Sequence, residues 1–256
     1  MNFKKILSFK LLLLFLLLES CVSKKQVLYV QDLNATDVSE ITFLQNTFQE
    51  NDILKIDVTS LEMRASIPYN KNVSQGNLGG SIDLMQLSGY LVSRDKTINL
   101  PVLGVISVAG KTADDLENDL KERLKLEGHL TNPNVTVRLL NAKFTILGEV
   151  RLPGTYNYIQ KNISFLQAIG LAGDLTIDGN RKNIVLIRES DGQRTTTKLD
   201  ITSANFLTSP YQNIQPNDVI IVNPSSKKVK SAGLIGNIST ALSIASILLS
   251  TIILIR

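Results

Sequence analysis

Apolar and polar positions begin to alternate near residue 53. In Ile53-Leu54-Lys55-Ile56-Asp57-Val58-Thr59, the apolar Leu54, Ile56 and Val58 alternate with polar residues, the period of a half-buried strand. Gln49-Glu50-Asn51-Asp52 ahead of it is turn-like. Residues 60–88 hold Gly76, Gly79, Gly80 and many Asn, Ser and Gln, and predict one long loop. Short strands follow at 89–92, 97–100 and 105–108. Thr112 then predicts a helix cap, with Asp115 three residues on and Asp114 and Glu117 suited to the positive helix end. Ala113, Leu116, Leu120 and Leu124 share one face, and Gly128 is a natural stop. Val135, Val137 and Leu139 alternate again after Asn132-Pro133-Asn134. This predicts a small α+β domain over residues 48–141.

A second unit is predicted over residues 142–224. Residues 144–150 read as a strand that runs to a Pro153-Gly154 turn, and Tyr156 and Tyr158 continue a hairpin. Asn162 or Ser164 caps a short helix through Phe165, Leu166, Ala168 and Ile169. Residues 184–187 and 195–199 are strands joined by Asp191-Gly192, a strong hairpin signal. Pro216-Asn217-Asp218 turns into a last strand at 219–222. Four or more strands around one short helix suggest a β-grasp arrangement. The turn ahead of that strand echoes the first domain: residues 48–53, FQENDI, match residues 214–219, IQPNDV, in type at every position but the third. In both, an Asn or Asp is expected to bond its own backbone before a strand starts.

The two ends differ in kind from this middle. Lys4, Lys5 and Lys10 precede an apolar run, 11–18, that is short for a bilayer span and reads as a signal peptide, 1–20. Leu18-Glu19-Ser20-Cys21 resembles a bacterial lipoprotein box, which predicts cleavage before Cys21 and acylation of its thiol and new amino group. Several acyl chains exceed what stable anchoring needs, so residues 21–47 are expected to be an acylated leader tied to membrane lipid. At the far end, a basic linker, 225–231, precedes a stretch with no charged residue from Gly233 to Ile255. As a helix it would measure about 34 Å, enough for roughly 30 Å of hydrocarbon, so 232–256 is predicted to be a C-terminal transmembrane helix. Gly236, Ser239, Ser243, Ser246 and Ser250 recur at three- and four-residue steps and form one small, partly polar stripe. Such a stripe suits helix packing between neighbouring copies or a wall facing a pore.

Charge and chemistry narrow the function. Residues 1–20 hold three of the 27 basic and one of the 23 acidic residues, which leaves 24 against 22, a net +2. That is no nucleic-acid footprint. The sole histidine, His129, reads as a solvated loop residue, and with one cysteine it cannot build a usual zinc site. Asp52 and Asp218 belong to turns, and no phosphate-cradling or dinucleotide glycine loop appears. We therefore expect no catalytic residue, no metal and no cofactor. With no Trp, 6 Tyr and 8 Phe, stacking platforms for sugar rings are scarce, as suits a conduit that must release its cargo.

Taken in order, several of these landmarks resemble the polysaccharide export outer-membrane lipoprotein family. They are Cys21, Asn51-Asp52-Ile53-Leu54, Gly89-Tyr90-Leu91-Val92, Ile98 to Gly104, Asn132 to Val137, and Leu147-Gly148-Glu149-Val150-Arg151-Leu152-Pro153-Gly154-Thr155-Tyr156. The resemblance implies a polysaccharide export domain followed by one SLBB-like β-grasp domain, where some relatives carry two. It further implies a bacterial outer-membrane location with periplasmic domains, and a homo-oligomeric ring, often an octamer. The expected partners are polysaccharide cargo and an inner-membrane copolymerase, often with tyrosine kinase activity. The chain would then be a channel subunit that exports capsular or extracellular polysaccharide. The competing expectation is a periplasmic ligand-binding or scaffold lipoprotein whose last helix is a simple anchor.

Overall fold

A computed structural model describes residues 27–33, 46–71, 88–190, 192–231, 242–244, 246, 247, 250 and 251. Two separate apolar cores organise them.

The first core is built on strand β1 (Ile53–Thr59), whose Leu54, Ile56 and Val58 are all buried, as their alternation predicts. β1 pairs antiparallel with β5 (Asn134–Leu139), placing Ile56 opposite Val137, and on its other edge with β2 (Tyr90–Leu91). The hairpin β3 (Thr97–Leu100) and β4 (Gly104–Ser107) adds Ile98, Leu100 and Ile106. A short helix α1 (Met63–Ser66) precedes β2. Helix α2 (Ala113–Leu126) carries a reciprocal cap: Thr112 Oγ1 accepts the Asp115 N–H, and the Asp115 carboxylate accepts the Thr112 N–H. Its Leu116, Leu120 and Leu124 close the core, and Gly128, with φ +74°, turns the chain away.

The second core lies under a five-stranded sheet of order β10-β9-β12-β6-β7. Here β6 is Lys143–Gly148, β7 Gly154–Asn157, β9 Gly179–Ser190, β10 Gln193–Leu199 and β12 Val219–Pro224. Hairpins β9–β10 and β6–β7 flank the central strand β12, which runs parallel to β6, and helix α3 (Phe165–Leu171) packs beneath. That is a β-grasp order. A minor ladder joins β8 (Ile163–Ser164) to β11 (Asn213–Ile214). Ser164 caps α3 through the Gln167 N–H, while the Gln167 side chain returns a bond to the Ser164 N–H. Gly148 ends β6 at φ +88°, where a Cβ would stand 2.1 Å from the Val222 carbonyl oxygen. Only glycine lets the two central strands come this close as the chain bends toward Glu149.

Several expectations need correction. The loop predicted over 60–88 contains α1 and a 3-10 turn, Ile67–Tyr69, which Asn70 pins to β1 through both Val58 backbone groups. Strand β9 starts five residues earlier than its apolar run, because Arg181 is buried while Lys182 points outward and masks the alternation. His129 is half-buried rather than solvated, with its ring 5.6 Å from that of Tyr69. Within the predicted leader, residues 27–33 lie against the second domain, a docking the sequence reading did not include. Val30 and Gln31 donate their N–H groups to the carbonyls of Ile201 (3.1 Å) and Thr202 (2.8 Å). Polar residues with scattered apolar positions gave no periodic signal for that docking.

Most of the predicted span 232–256, and Cys21, lie outside the described residues. Among the described residues no helix is long and apolar enough to cross a membrane. Residues 242–244, 246, 247, 250 and 251 are helical, with Leu242, Ile244 and Ile247 exposed.

Candidate functional site

The two echoing turns adopt one geometry. In the first, the Asp52 carboxylate accepts the Gln49 N–H at 2.8 Å, the Asp52 N–H donates to the Gln49 carbonyl at 3.2 Å, and Asn51 sits at φ +69°. In the second, the Asp218 carboxylate accepts the Gln215 N–H at 2.8 Å, the Asp218 N–H donates to the Gln215 carbonyl at 3.2 Å, and Asn217 sits at φ +67°. The closure of each Asp on its own backbone is what the sequence predicts; the left-handed Asn is a conformation that this residue tolerates better than most.

Electrically they part company. Asp218 is fully buried and meets Arg188 through two bonds, Nε at 2.9 Å and Nη2 at 2.7 Å; Nη2 also reaches the Asn213 carbonyl at 3.0 Å. This fork-to-carboxylate geometry is the form in which a buried charge is well compensated. Among the described residues no cation pairs with Asp52. Burial pushes its carboxyl up to about 6, against the opposing pull of the Gln49 N–H. Sequence reading missed Arg188. The signal was there, because Arg188 shares the parity of Ile184 and Leu186 and so falls on the inward face of β9.

Both turns border a cleft of about 500 Å³ between the two domains, which Gln49 and Asp52 line from one side of the linker and Gln215 and Pro216 from the other. The linker itself fixes this arrangement. Asn141 accepts the Ile53 N–H and donates to the Asn51 carbonyl, both at 2.9 Å. Two residues later the Lys143 carbonyl accepts the Asn217 N–H at 2.7 Å. Leu139 packs against both cores, and Lys161 Nζ reaches Asp114 at 2.6 Å across the cleft. Tyr158 also lines the cleft; its hydroxyl is buried without a partner among the described residues. Burial, then the Asp218 and Asp52 carboxylates, hold that hydroxyl well above its usual titration range. Among the described residues no group of His, Cys, Asp and Glu could hold a metal ion.

The residues singled out at the chain ends are only partly visible. Cys21, Gly236 and Ser239 fall outside the described residues, and Ser243, Ser246 and Ser250 are helical. Ser246 donates to the Leu242 carbonyl at 2.7 Å and Ser250 to the Ile247 carbonyl at 2.9 Å. Backbone bonding of this kind lets a hydroxyl sit in an apolar setting without an outside partner. Ser243, Ser246 and Ser250 are not among the residues that line the cleft.

Comparison with known proteins gives two adjacent matches. The family described as "Polysaccharide biosynthesis/export protein" matches residues 45–140, and the SLBB domain family matches residues 143–198. The EPS I polysaccharide export outer membrane protein EpsA of Ralstonia nicotianae is 30% identical over 122 residues, 44% of this chain and 32% of that protein. The exopolysaccharide production protein ExoF of Rhizobium meliloti is 31% identical over 100 residues, 38% of this chain and 24% of that protein. The capsule polysaccharide export protein BexD of Haemophilus influenzae is 26% identical over 166 residues, 62% of this chain and 39% of that protein. The chain spans about a third of the length of the relatives it matches. EpsA and BexD are named for polysaccharide export, and ExoF for exopolysaccharide production. With both domains matched in sequence order over more than half of its residues, the chain belongs to the polysaccharide export protein family.

Proposed function

We propose that this chain is an outer-membrane subunit for export of capsular or extracellular polysaccharide, and that it works as a homo-oligomeric ring. The observation that carries this is the pair of consecutive domain matches, export domain then SLBB domain, together with the similarity to relatives named for polysaccharide export. In this reading Cys21 is acylated and residues 232–256 cross the membrane. Copies gather around a wet passage, and an inner-membrane copolymerase delivers the polymer from below. The Ser246 and Ser250 hydroxyls, closed onto their own helix, support burial of that segment in lipid or in a helix seam.

Imaging of particles extracted in detergent tests the reading. Closed rings are the expected result. Single copies that carry both tethers would favour the scaffold lipoprotein instead. Replacing Ser239, Ser243, Ser246 and Ser250 with Leu should abolish polymer export if the stripe lines or packs a ring. A simple anchor tolerates the change.

A further inference from the structure

Both routes out of the β-grasp domain leave from one place. On the leader side, the Tyr29 hydroxyl donates to the Asp174 carboxylate, and the Arg181 guanidinium lies 5.2 Å from the Tyr29 ring centre. Buried Arg181 itself donates to the carbonyls of Thr176 (3.3 Å) and Gly179 (3.1 Å). On the C-terminal side, the Ser225 N–H donates to the Asp178 carbonyl at 2.6 Å, and helix α4 (Ser226–Ser231) begins there. Lys228 Nζ stands 3.1 Å from Asp178 and 3.8 Å from Glu149. Glu149 in turn accepts from the Thr176 hydroxyl at 2.7 Å. Segments from opposite ends of the sequence thus both touch one stretch, 174–181, the leader being held as well by Ile201 and Thr202.

The surroundings of that stretch are amphipathic. Loop 149–152 runs beside it: Thr176 donates to Glu149, Arg151 to Asp174 and Leu152 to Ala172 through the backbone, at 3.0, 3.1 and 2.9 Å. Leu152 and Ile177 on these loops and Leu171 at the end of α3 are 60%, 71% and 50% exposed. Arg151 beside Leu152 in the chain, Lys182 on β9 and Lys227 on the following helix are exposed, while Asp178 and Glu149 are matched by Lys228. Apolar tips with exposed cations on adjoining elements suit the boundary between acyl chains and anionic headgroups.

We propose that this end of the β-grasp domain rests on the lipid surface, with Leu152, Leu171 and Ile177 in the headgroup boundary. The inference rests on the anchoring reading above. Cys21 stands six residues before Val27, a reach of at most about 20 Å for an extended chain. The apolar segment starts directly after Ser231. Both proposed tethers therefore hold this face against the bilayer. They do not restrain the first domain in that way.

The test uses the mature full-length protein in vesicles of phosphatidylethanolamine and phosphatidylglycerol. Ile177→Cys is labelled with an environment-sensitive fluorophore, and Leu126→Cys, on α2 of the first domain, serves as control. Acylated Cys21 offers no thiol, so intact mass and vesicle flotation report on the anchoring reading separately. The expected result is blue-shifted emission at 177 that lipid-borne nitroxide mostly quenches, with neither effect at 126. An aqueous spectrum at 177 on floating, acylated protein overturns the proposal and leaves the anchors standing. A blue shift that lipid nitroxide does not quench means a protein neighbour, and also overturns it. Unacylated protein that does not float removes the anchoring reading, and this inference with it.

Discussion

The first turn and the second share their Gln, Asn and Asp, their hydrogen bonds and the left-handed Asn, yet one carboxylate is matched by a guanidinium and the other is not. Local sequence writes the shape of a turn, because Asn and Asp close on their own backbone within three residues. The electrical environment comes from elsewhere. For Asp218 it arrives on β9, thirty residues away along the chain, while the described strands beside Asp52 bring no cation. Equal shape with unequal charge makes each turn a control for the other.

The largest break in the comparison is Arg188→Ala, which leaves Asp218 buried and uncompensated. We expect a loss of about 3–5 kcal/mol, read as a lower denaturant midpoint of the detergent-solubilised protein. The double change Arg188→Met with Asp218→Leu should recover most of it. A small effect of the single change would mean that water reaches Asp218.

Next comes pH. The folded pKa of Asp52, about 6, lies above its ordinary 3.8, so the folded state keeps a proton that the unfolded chain releases between those values. Stability conferred through this group is present at low pH, declines as pH rises from about 4 to 6, and the full penalty stands above that. Asp52→Asn keeps an acceptor for the Gln49 N–H and removes the titration. The wild-type protein should therefore lose on the order of 2–3 kcal/mol more than the variant between pH 4 and 7 in parallel denaturation series. Identical slopes would sink the assignment.

The shared backbone allows a matched pair. Asn51→Ala and Asn217→Ala each force alanine into the left-handed region, at roughly 1 kcal/mol apiece. Their midpoint shifts should be equal. Smallest of all is Lys161→Ala, since Lys161 and Asp114 are both well exposed and their ion pair is worth less than about 1 kcal/mol. A larger shift would show that this contact, rather than the linker, holds the cleft.

Legibility followed the range of each interaction. The cap at Thr112, the stop at Gly128 and the two turns lie within a few residues of their partners, and the sequence named them. Strand β1 was plain because its alternation is unbroken. The parallel pairing of β12 with β6, the Arg188 pair and the seat of Tyr29 on Arg181 join distant parts of the chain. No local pattern encodes those. In the candidate site, the carboxylates were recognisable as turn residues, whereas their difference in environment depends on strands that meet only in the folded chain.

The connection at 140–142 has a mechanical corollary. Its amide side chain is clamped to the start of the strand entering one domain, and the next carbonyl but one is clamped to the turn ahead of the last strand of the other. No residue there is left to swivel. Subunits that close into a circle would therefore set its diameter through a preset angle in each copy, and a dilating motion would have to arise where copies meet.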